Sequence, residues 1–356
     1  MTSSESSGIT SPGGGSLQVA VTGPTGTFGA GLIPMLEREP TVAGVVGIAR
    51  RPFDPAERGW SKMRYRQGDV RDRDGLLEAF QGVDVVTHLA FLITGNGSPD
   101  RIRAINVEGT LNAYRAAAAA GARRFVYASS VAAYGFHPDN PVPITEDWPV
   151  RPAARLFYAQ EKAELERRLQ EESARTPDLD LYVLRPSVVL GPDAVGGKDL
   201  LPRPLMPLVE TILRSAGRLP FRVPFATPDF PMQFVHQRDV GQALVRCILG
   251  AGPPGAYNIA GDGIVTVADI ARELGALPLT LPSGLLRSGA RALSTLPLPP
   301  RAQWIEAATH PAIMDTARAR RDLGWRPEYD GLSALRDTLG RRRPDSTPGG
   351  PGTTAA

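Results

Sequence analysis

Short apolar runs alternate with segments of helical periodicity along most of the chain. The first run extends from Leu17 to Val21, and the run "VDVVTHLAF" is almost continuously apolar, as expected for a strand buried on both faces of a sheet. The segment "NVEGTLNAYRAAAAAGARR" has the composition of a helix, and Gly121 is suited to end it. This alternation predicts an α/β fold with a Rossmann-type doubly wound parallel sheet.

Five further runs are predicted as strands of the same sheet. They are "VAGVVGIARR", "MRYRQGDVRD" (ending in Gly68-Asp69-Val70), "FVYASSVAAYG", "LYVLRPSVVLG" and "AYNIAG". Ligands of parallel sheets bind at the carboxyl ends of the strands. Residues at those ends are therefore the first candidates for a functional site.

Three glycines follow the first strand directly and lead into a helical pattern. Gly23, Gly26 and Gly29 have the spacing G-x-x-G-x-x-G in "TGPTGTFG". Such a turn lets the backbone come close to a pyrophosphate, and the N-terminus of the following helix faces the negative charge. A tight strand–helix turn without a ligand is the alternative. Because the glycines lie between a strand and a helix, we expect a dinucleotide site.

The end of the second predicted strand bears on the choice of cofactor. An acidic residue about 20 positions past the glycines would bind the ribose hydroxyls of NAD. This chain has Ala49, Arg50 and Arg51 there, and no acid before Asp54. Guanidinium groups suit the 2′-phosphate of NADP, so we expect NADP and otherwise NAD. The alternative is that one or both arginines simply face solvent.

Lys162 is unusual because the chain contains 37 Arg and only three Lys. Lysine supplies a compact ammonium that can tune the pKa of a neighbour, which a guanidinium cannot do equally well. Tyr158 lies four residues earlier, one turn away on the same helix face. Ser129 and Ser130 end the fifth predicted strand, so these groups can converge at one edge of the sheet. The alternative is an aromatic side chain beside a solvated lysine.

Together, these residues predict a proton-transfer site. A phenol has a pKa of about 10, and we expect the ammonium of Lys162 to lower the pKa of Tyr158. Tyr158 would then exchange a proton with a substrate oxygen that Ser130 holds by a hydrogen bond. Nicotinamide would exchange hydride with the adjacent carbon.

The chain resembles the extended short-chain dehydrogenase/reductase family, in its epimerase/dehydratase-like branch. The matching segments occur in family order, from "TGPTGTFG", "GDVRD", "HLA" and "NVEGT" to "YASSVAAYG", "YAQEK", "LRPSVVLGP", "FVHQRDVGQAL", "YNIAG" and "RRDLGWRPEY". The resemblance implies that Ser130, Tyr158 and Lys162 are catalytic. It implies a cofactor-binding set of Gly23, Thr25, Gly26, Phe28, Gly29, Arg50, Arg51, Asp69, Val70, Leu89, Ala90, Asn106, Tyr158 and Lys162.

Several of these residues have implied roles that compete with simpler ones. Asp69 would contact the adenine amine, but it could be a turn or helix-cap residue. Asn106 would shape the site, but it could be an ordinary residue at a helix start. Leu89 and Ala90 would approach the ribose through their backbone. His88 is expected to be a packing residue of its strand.

The resemblance also predicts how the chain is divided. In the family, two separated pieces form the smaller, discontinuous substrate-binding domain, and members often form homodimers, so we expect a possible homodimer. The predicted units are a flexible tail at 1–16, a dinucleotide-binding domain at 17–187 plus 233–261, a substrate domain at 188–232 plus 262–338, and a flexible tail at 339–356.

Val188 bears on the substrate. Many nucleotide-sugar members of the family have an Asn at this position, whereas an apolar wall favours a less polar alcohol or carbonyl compound. We therefore expect an NAD(P)-dependent oxidoreductase acting on an alcohol/carbonyl pair. The alternatives are a sugar-nucleotide epimerase or dehydratase with tightly held NAD, and a non-catalytic dinucleotide-binding sensor.

Composition excludes other classes. The 37 acidic and 40 basic residues nearly balance, and no basic stripe indicates a nucleic-acid partner. One cysteine, Cys247, excludes an internal disulfide and fits a cytoplasmic protein. The four His are scattered without metal-ligand spacing. No apolar run approaches the ~20 residues that a membrane helix needs. The expected partner is thus a small-molecule substrate.

Overall fold

The computed structural model describes residues 16–93, 98–154, 156–194, 224–281 and 310–341. Parts of both predicted pieces of the substrate domain, 195–223 and 282–309, lie outside the described residues, as do nearly all residues of the two predicted tails. The predicted domain boundaries and the homodimer therefore stay predictions.

The described part of the chain contains thirteen strands and nine α-helices. The strands are β1 Leu17–Thr22, β2 Val42–Ala49, β3 Met63–Gln67, β4 Val85–His88, β5 Arg124–Ala128, β6 Asp180–Pro186, β7 Val188–Leu190, β8 Pro224–Pro228, β9 Pro231–Met232, β10 Phe234–His236, β11 Gly255–Ile259, β12 Val265–Thr266 and β13 Leu277–Leu281. The helices are α1 Thr27–Arg38, α2 Arg73–Ala79, α3 Pro99–Arg103, α4 Gly109–Ala119, α5 Phe157–Ser173, α6 Gln237–Leu249, α7 Val267–Glu273, α8 Ala317–Asp322 and α9 Gly331–Thr338.

Seven of the strands form the central sheet, in the order β11-β6-β5-β4-β1-β2-β3. Every neighbouring pair in this sheet is parallel. The strand order reverses between β1 and β4, and such a switch point opens a crevice at the carboxyl edge of the sheet. The glycine turn after β1 and the residues after β4 therefore lie side by side at this crevice.

Apolar cores cover both faces of the sheet. On one face, α1 and α6 contribute Leu32, Leu36 and Leu244. On the other face, α4 and α5 contribute residues such as Leu111 and Leu165. Strands buried between two helical layers explain the nearly continuous apolar runs in the sequence, and the predicted doubly wound sheet is confirmed.

Three predicted strands differ in extent from the observed ones. β3 ends at Gln67, before Gly68-Asp69-Val70, and β5 ends at Ala128, before a 3₁₀ turn at Val131–Tyr134. The predicted sixth strand is two strands, because β7 leaves the central sheet and pairs with β10. Pro186 ends β6 at this point, since proline has no N–H to donate to a continuing ladder.

A smaller set of elements lies outside the central sheet. β9 pairs antiparallel with β12, and β8 pairs parallel with β13. A separate apolar cluster with Leu190, Phe234 and Val265 joins β7, β10 and β12 to α9. Among the described residues, no helix is both long and apolar enough to cross a membrane, and no group of three His, Cys, Asp or Glu side chains is arranged to hold a metal ion.

Candidate active site

The three positions after β1 require glycine to different degrees. Gly23 has a φ of +72°, and an added Cβ would lie 2.9 Å from the backbone nitrogen of Ala90. A Cβ at Gly29 would overlap the carbonyl of Pro24. At Gly26, a Cβ would meet only the carbonyl oxygen of Gly23, at 3.5 Å. Gly23 and Gly29 are therefore required by the turn itself, whereas Gly26 leaves an open backbone surface.

The start of α1 is suited to an anion. Gly26 is the N-cap and provides no side-chain cap, and the first turn contains no acidic residue. The first N–H groups of a helix have no partner within the helix, so they can bind a phosphate. Thr25 is exposed beside this turn, whereas Phe28 is half-buried against the core beneath it.

Arg50 and Arg51 directly follow β2 and are both exposed. Their backbone carbonyls are fixed, since Arg50 accepts a hydrogen bond from Gln67 Nε2 (3.0 Å) and Arg51 accepts one from the Tyr65 hydroxyl (3.2 Å). Neither guanidinium forms an ion pair with any residue in the described part of the chain. Both side chains are thus open to solvent, and their contact with the 2′-phosphate of NADP stays a prediction.

Asp69 is engaged locally. Its carboxylate pairs with Arg71, with Oδ2 2.7 Å from Arg71 Nη2, and it also accepts from the Arg71 backbone. The Arg71 hydrogen bond lowers the pKa of Asp69 against the opposing effect of burial. Val70 is buried and fills the space that a Cβ at Gly109 would need. The turn role of Asp69 is present in the structure, while its adenine contact stays a prediction.

Ser130 and Tyr158 meet at the carboxyl edge of β5. Ser130 Oγ accepts from the backbone N–H of Ala132 (3.2 Å), which begins the 3₁₀ turn. Burial raises the pKa of the Tyr158 phenol to about 12, and the interaction with Ser130 acts in the opposite direction. The predicted lowering of this pKa is therefore wrong for the protein alone, because desolvation outweighs the stabilising contacts.

Lys162 is buried, with 2% of its surface exposed. Its Nζ donates to the carbonyl of Ala128 (2.7 Å) and to the hydroxyl of Tyr127 (3.2 Å). The same nitrogen lies 3.6 Å from the ring centre of Phe91 and 5.8 Å from that of Tyr158. Burial lowers the pKa of Lys162 to about 7, although nearby carboxylates oppose this shift. The lysine can therefore change protonation state near neutral pH.

Asn106 connects two parts of the site through its side chain. It lies buried in a π turn, Ala104–Glu108, between α3 and α4. Its Oδ1 accepts from the backbone N–H of Leu92 (2.8 Å), and its Nδ2 donates to the Leu92 carbonyl (3.0 Å) and to Glu161 Oε2 (2.7 Å). Asn106 thus holds the chain that follows β4 and links it to α5.

The backbone after β4 is also fixed at its start. Leu89 N–H donates to the Thr22 carbonyl (3.1 Å), and Ala90 N–H donates to the Thr22 hydroxyl (3.3 Å). His88 is a buried residue of β4, as predicted, and it bridges Thr22 Oγ1 (2.9 Å) and Thr110 Oγ1 (3.0 Å). Burial lowers the pKa of His88 to about 3, so the ring stays neutral.

Three residues at the site were missed by sequence reasoning: Phe91, Tyr127 and Glu161. Strand alternation could not have indicated Tyr127, because it places Tyr127 and Ser130 on opposite faces of an extended strand. Phe91 directly follows the "HLA" segment at the end of a predicted strand, and this position could have indicated a residue of the site. Glu161 precedes Lys162, but nothing in the sequence shows that this glutamate is buried.

Membership of a protein class follows from the fold together with a comparison with known proteins. The crevice between a glycine turn and the ends of parallel strands defines a dinucleotide-binding α/β protein. The model of the NAD dependent epimerase/dehydratase family matches residues 19–260. The chain belongs to this family, and the resemblance seen in the sequence is confirmed.

Individual proteins that the chain resembles share between 22% and 33% of its residues over the matched parts. Uncharacterized protein Rv0501 of Mycobacterium tuberculosis is 27% identical over 328 residues, which cover 90% of this chain and 82% of the relative. Sterol demethylase protein B of Methylococcus capsulatus is 33% identical over 175 residues, or 48% of this chain and 51% of the relative. The dTDP-glucose 4,6-dehydratase DesIV of Streptomyces venezuelae, solved with NAD and TYD bound, has a TM-score of 0.65 at 22% identity, covering 91% of this chain and 96% of its own. This last likeness shows the fold.

Proposed function

We propose that the chain is an NADP(H)-linked oxidoreductase that transfers hydride between nicotinamide and an alcohol/carbonyl substrate. The observation that carries this proposal is that three side chains converge: Ser130 acts on the Tyr158 phenol, and the buried Lys162 Nζ lies 5.8 Å from the Tyr158 ring centre. These side chains lie at the carboxyl edge of the sheet, where the glycine turn packs against Ala90. A phenol, an amine and a hydroxyl gathered there suit proton exchange with a substrate oxygen.

The residues present fit a dinucleotide. Gly26 leaves an open backbone surface, and the uncapped N-terminus of α1 offers N–H groups to a pyrophosphate. Arg50 and Arg51 would contact a 2′-phosphate, which supports NADP over NAD. The bound cofactor supplies or accepts the hydride, while the chemistry of the chain is to bind, orient and move a proton.

Tyr158 is the proposed acid–base group. With a pKa of about 12, its phenol is protonated at neutral pH, so in reduction it would donate a proton to the carbonyl oxygen. Ser130 would hold that oxygen through its hydroxyl. In oxidation, Tyr158 would have to take the alcohol proton, which requires a phenolate that the protein alone disfavours.

The surroundings support a small or moderately apolar substrate. The Phe91 ring meets the Tyr158 ring edge-on at 5.6 Å, and Phe136 packs beside Tyr158 in an apolar cluster. Val188 is half-buried among other apolar residues. A relative that matches 48% of this chain is named sterol demethylase protein B, which supports a substrate with an apolar part.

A sugar-nucleotide epimerase or dehydratase that holds NAD tightly is the second candidate. Family membership favours it, and so does the bound NAD of the dehydratase with the same fold. Arg50, Arg51 and the apolar Val188 favour the first candidate. A non-catalytic dinucleotide sensor has less support, because Tyr158 and Lys162 are both present and are arranged around Phe91.

Thermal-shift measurements with NADPH and NADH test the cofactor. We expect a larger rise in melting temperature with NADPH, and loss of this difference in Arg50→Ala/Arg51→Ala. Arg167→Ala is the matched control, since Arg167 is an exposed arginine on α5. Equal shifts with both cofactors in the wild type would contradict the NADP preference, and NAD retained through purification would favour the epimerase.

Turnover tests the proton-transfer role. Carbonyl compounds and sugar nucleotides would be screened by absorbance of the reduced nicotinamide, with product analysis for reactions in which hydride returns to the substrate. On any substrate found, Tyr158→Phe should lower kcat about 10²–10⁴-fold, as expected for loss of a general acid. Unchanged turnover would remove Tyr158 from the mechanism.

A further inference from the structure

Glu161 is a buried carboxylate for which the proposed mechanism has no use. It lies on α5 between Tyr158 and Lys162, with 2% of its surface exposed. Its Oε2 accepts from Asn106 Nδ2 at 2.7 Å. Its Oε1 is buried without a hydrogen-bond partner among the described residues. A half-satisfied buried carboxylate is costly, so its retention calls for an explanation.

The hydrogen bond of Glu161 to Asn106 connects it to the segment that contains Phe91 and Leu92. Asn106 donates to Glu161 and makes two further hydrogen bonds with the backbone of Leu92. Phe91, the preceding residue, lies over Lys162 Nζ at 3.6 Å and meets the Tyr158 ring edge-on. The orientation of the Asn106 amide therefore fixes a segment that contacts both proposed chemical groups.

The start of the same segment has no acidic anchor. Ala90 is held by Thr22, which in turn is bonded to the neutral ring of His88. The end at Leu92 depends on Asn106, and the Asn106 amide is in turn oriented by the carboxylate of Glu161. The charge of Glu161 is thus coupled to the placement of Phe91.

Glu161 also differs from the other carboxylates near Lys162. Lys162 donates only to neutral groups in the described structure, Ala128 O and Tyr127 OH. Glu166 is already paired with Arg185 at 2.6 Å. Arg103 acts electrostatically on Glu161, but its guanidinium is bonded at 2.6 and 2.7 Å to Glu164.

We propose that Glu161 is a positioning residue of the site: its carboxylate orients Asn106, and hence the segment that places Phe91 over Lys162. The contacts among Glu161, Asn106 and Leu92 are present in the structure, whereas their importance for catalysis rests on the proposed function. Burial lowers the pKa of Lys162, and Glu166 and then Glu161 oppose this shift, so loss of the Glu161 charge should release the lysine proton at lower pH. The titratable or charged groups around Lys162 and Glu161 are Tyr127, Tyr158, Glu164 and Glu166, with His88 and Arg103 on adjoining elements.

The scarcity of lysine makes the protonation state directly measurable. In protein labelled with ¹³Cε-lysine, each signal belongs to Lys62, Lys162 or Lys198, and Lys62→Arg and Lys198→Arg assign them. We expect Glu161→Gln to lower the Lys162 midpoint by about one pH unit, the low end of the effect of a neighbouring opposite charge. Glu161→Asp, which keeps the charge, should restore most of the midpoint. Glu171→Gln, an exposed carboxylate on the same helix, should leave it unchanged.

An unchanged Lys162 midpoint in folded Glu161→Gln would overturn the proposal, as would an equal shift in Glu171→Gln. If Glu161→Gln does not fold, the comparison of Glu161→Asp with Asn106→Ala decides. Asn106→Ala should free the segment at Leu92, seen as faster amide exchange there, and Glu161→Asp should give a smaller increase; wild-type exchange in both variants would overturn the proposal.

NADPH binding separates this proposal from the proposed function. Fluorescence titration of NADPH across pH should show wild-type affinity falling as Lys162 loses its proton, and Glu161→Gln should move that fall to lower pH. If the wild type bound no NADPH, the proposed function would fail, while the Lys162 midpoint would still test Glu161. If NADPH bound with the same pH dependence in both proteins, the role of Glu161 at the site would be refuted.

Discussion

Lys162 on α5 and Arg185 on β6 are both buried cations, but their surroundings differ. Arg185, with 3% of its surface exposed, pairs with Glu166 through Nε and Nη2 at 3.0 and 2.6 Å. Its Nη1 donates to the Tyr134 hydroxyl and the Glu146 carbonyl. Lys162 donates to a carbonyl and a hydroxyl and has no carboxylate partner in the described structure.

The pKa values of the two cations move in opposite directions. Burial alone would lower the pKa of Arg185, but Glu166 outweighs burial and raises it. For Lys162, burial outweighs the more distant carboxylates and lowers the pKa to about 7. A cation saturated by an anion is fixed in one state and serves the structure, whereas a desolvated cation with neutral partners can titrate. The choice of Arg for one position and Lys for the other follows from these two tasks.

The largest expected effect comes from breaking the saturated pair. Arg185→Leu leaves Glu166 buried with only the Ser129 hydroxyl to satisfy it, so the free energy of unfolding should fall by ~3–5 kcal/mol. Chemical denaturation measures this change. The double variant Arg185→Leu/Glu166→Leu should recover much of the loss, because no charge is then stranded. A single variant as stable as the wild type would show that the pair is not a structural anchor.

The second largest effect is expected when Arg185 is replaced by a residue with the same charge. Arg185→Lys retains a cation but loses the planar fork that reaches Glu166, Tyr134 and Glu146 together. We expect a loss of roughly 1–3 kcal/mol in the free energy of unfolding, the cost of hydrogen bonds left unmade around a charged group. The reciprocal Lys162→Arg should impair turnover instead, since a guanidinium is bulkier than the ammonium packed under Phe91. Equal effects of the two swaps on both readouts would remove the distinction.

The third effect is a pH dependence that only the unpaired cation should show. The folded pKa of Lys162, about 7, lies below the ordinary 10.5. Between these values the unfolded chain binds a proton that the folded protein does not, so wild-type stability should rise with pH relative to Lys162→Met. The slope should be at most about 1.4 kcal/mol per pH unit. Denaturation of both proteins from pH 7 to 10.5 checks it, and parallel curves would mean that Lys162 is not titrating in this range.

The sequence was sufficient to predict which elements bring the main site residues together. Gly23 and Gly29 follow from turn geometry, and the separation of Tyr158 and Lys162 by one helical turn places them on one side of α5. The strand-end position of Ser130 brings it to the same edge. These features depend on local periodicity and on the topology of a parallel sheet, which a single chain reveals.

The environment of the site could not be read from the sequence. Glu161 meets Asn106 across 55 residues of chain, through a π turn for which the sequence gives no signal. The Tyr158 pKa moved opposite to expectation because burial of the phenol depends on residues brought together only by folding. Desolvation and long-range pairing are properties of packing, not of motifs.

The smallest effect comes from an exposed ion pair on the same helix. Arg167 and Glu171 are one turn apart at 2.5 Å, with 61% and 50% of their side chains exposed. Because water screens exposed pairs, Arg167→Ala should change the free energy of unfolding by only ~0.3–0.5 kcal/mol, and less in high salt. Denaturation at low and high salt measures this change. A loss as large as that of Arg185→Leu would mean that burial is not what separates the structural cation of β6 from the solvated cation of α5.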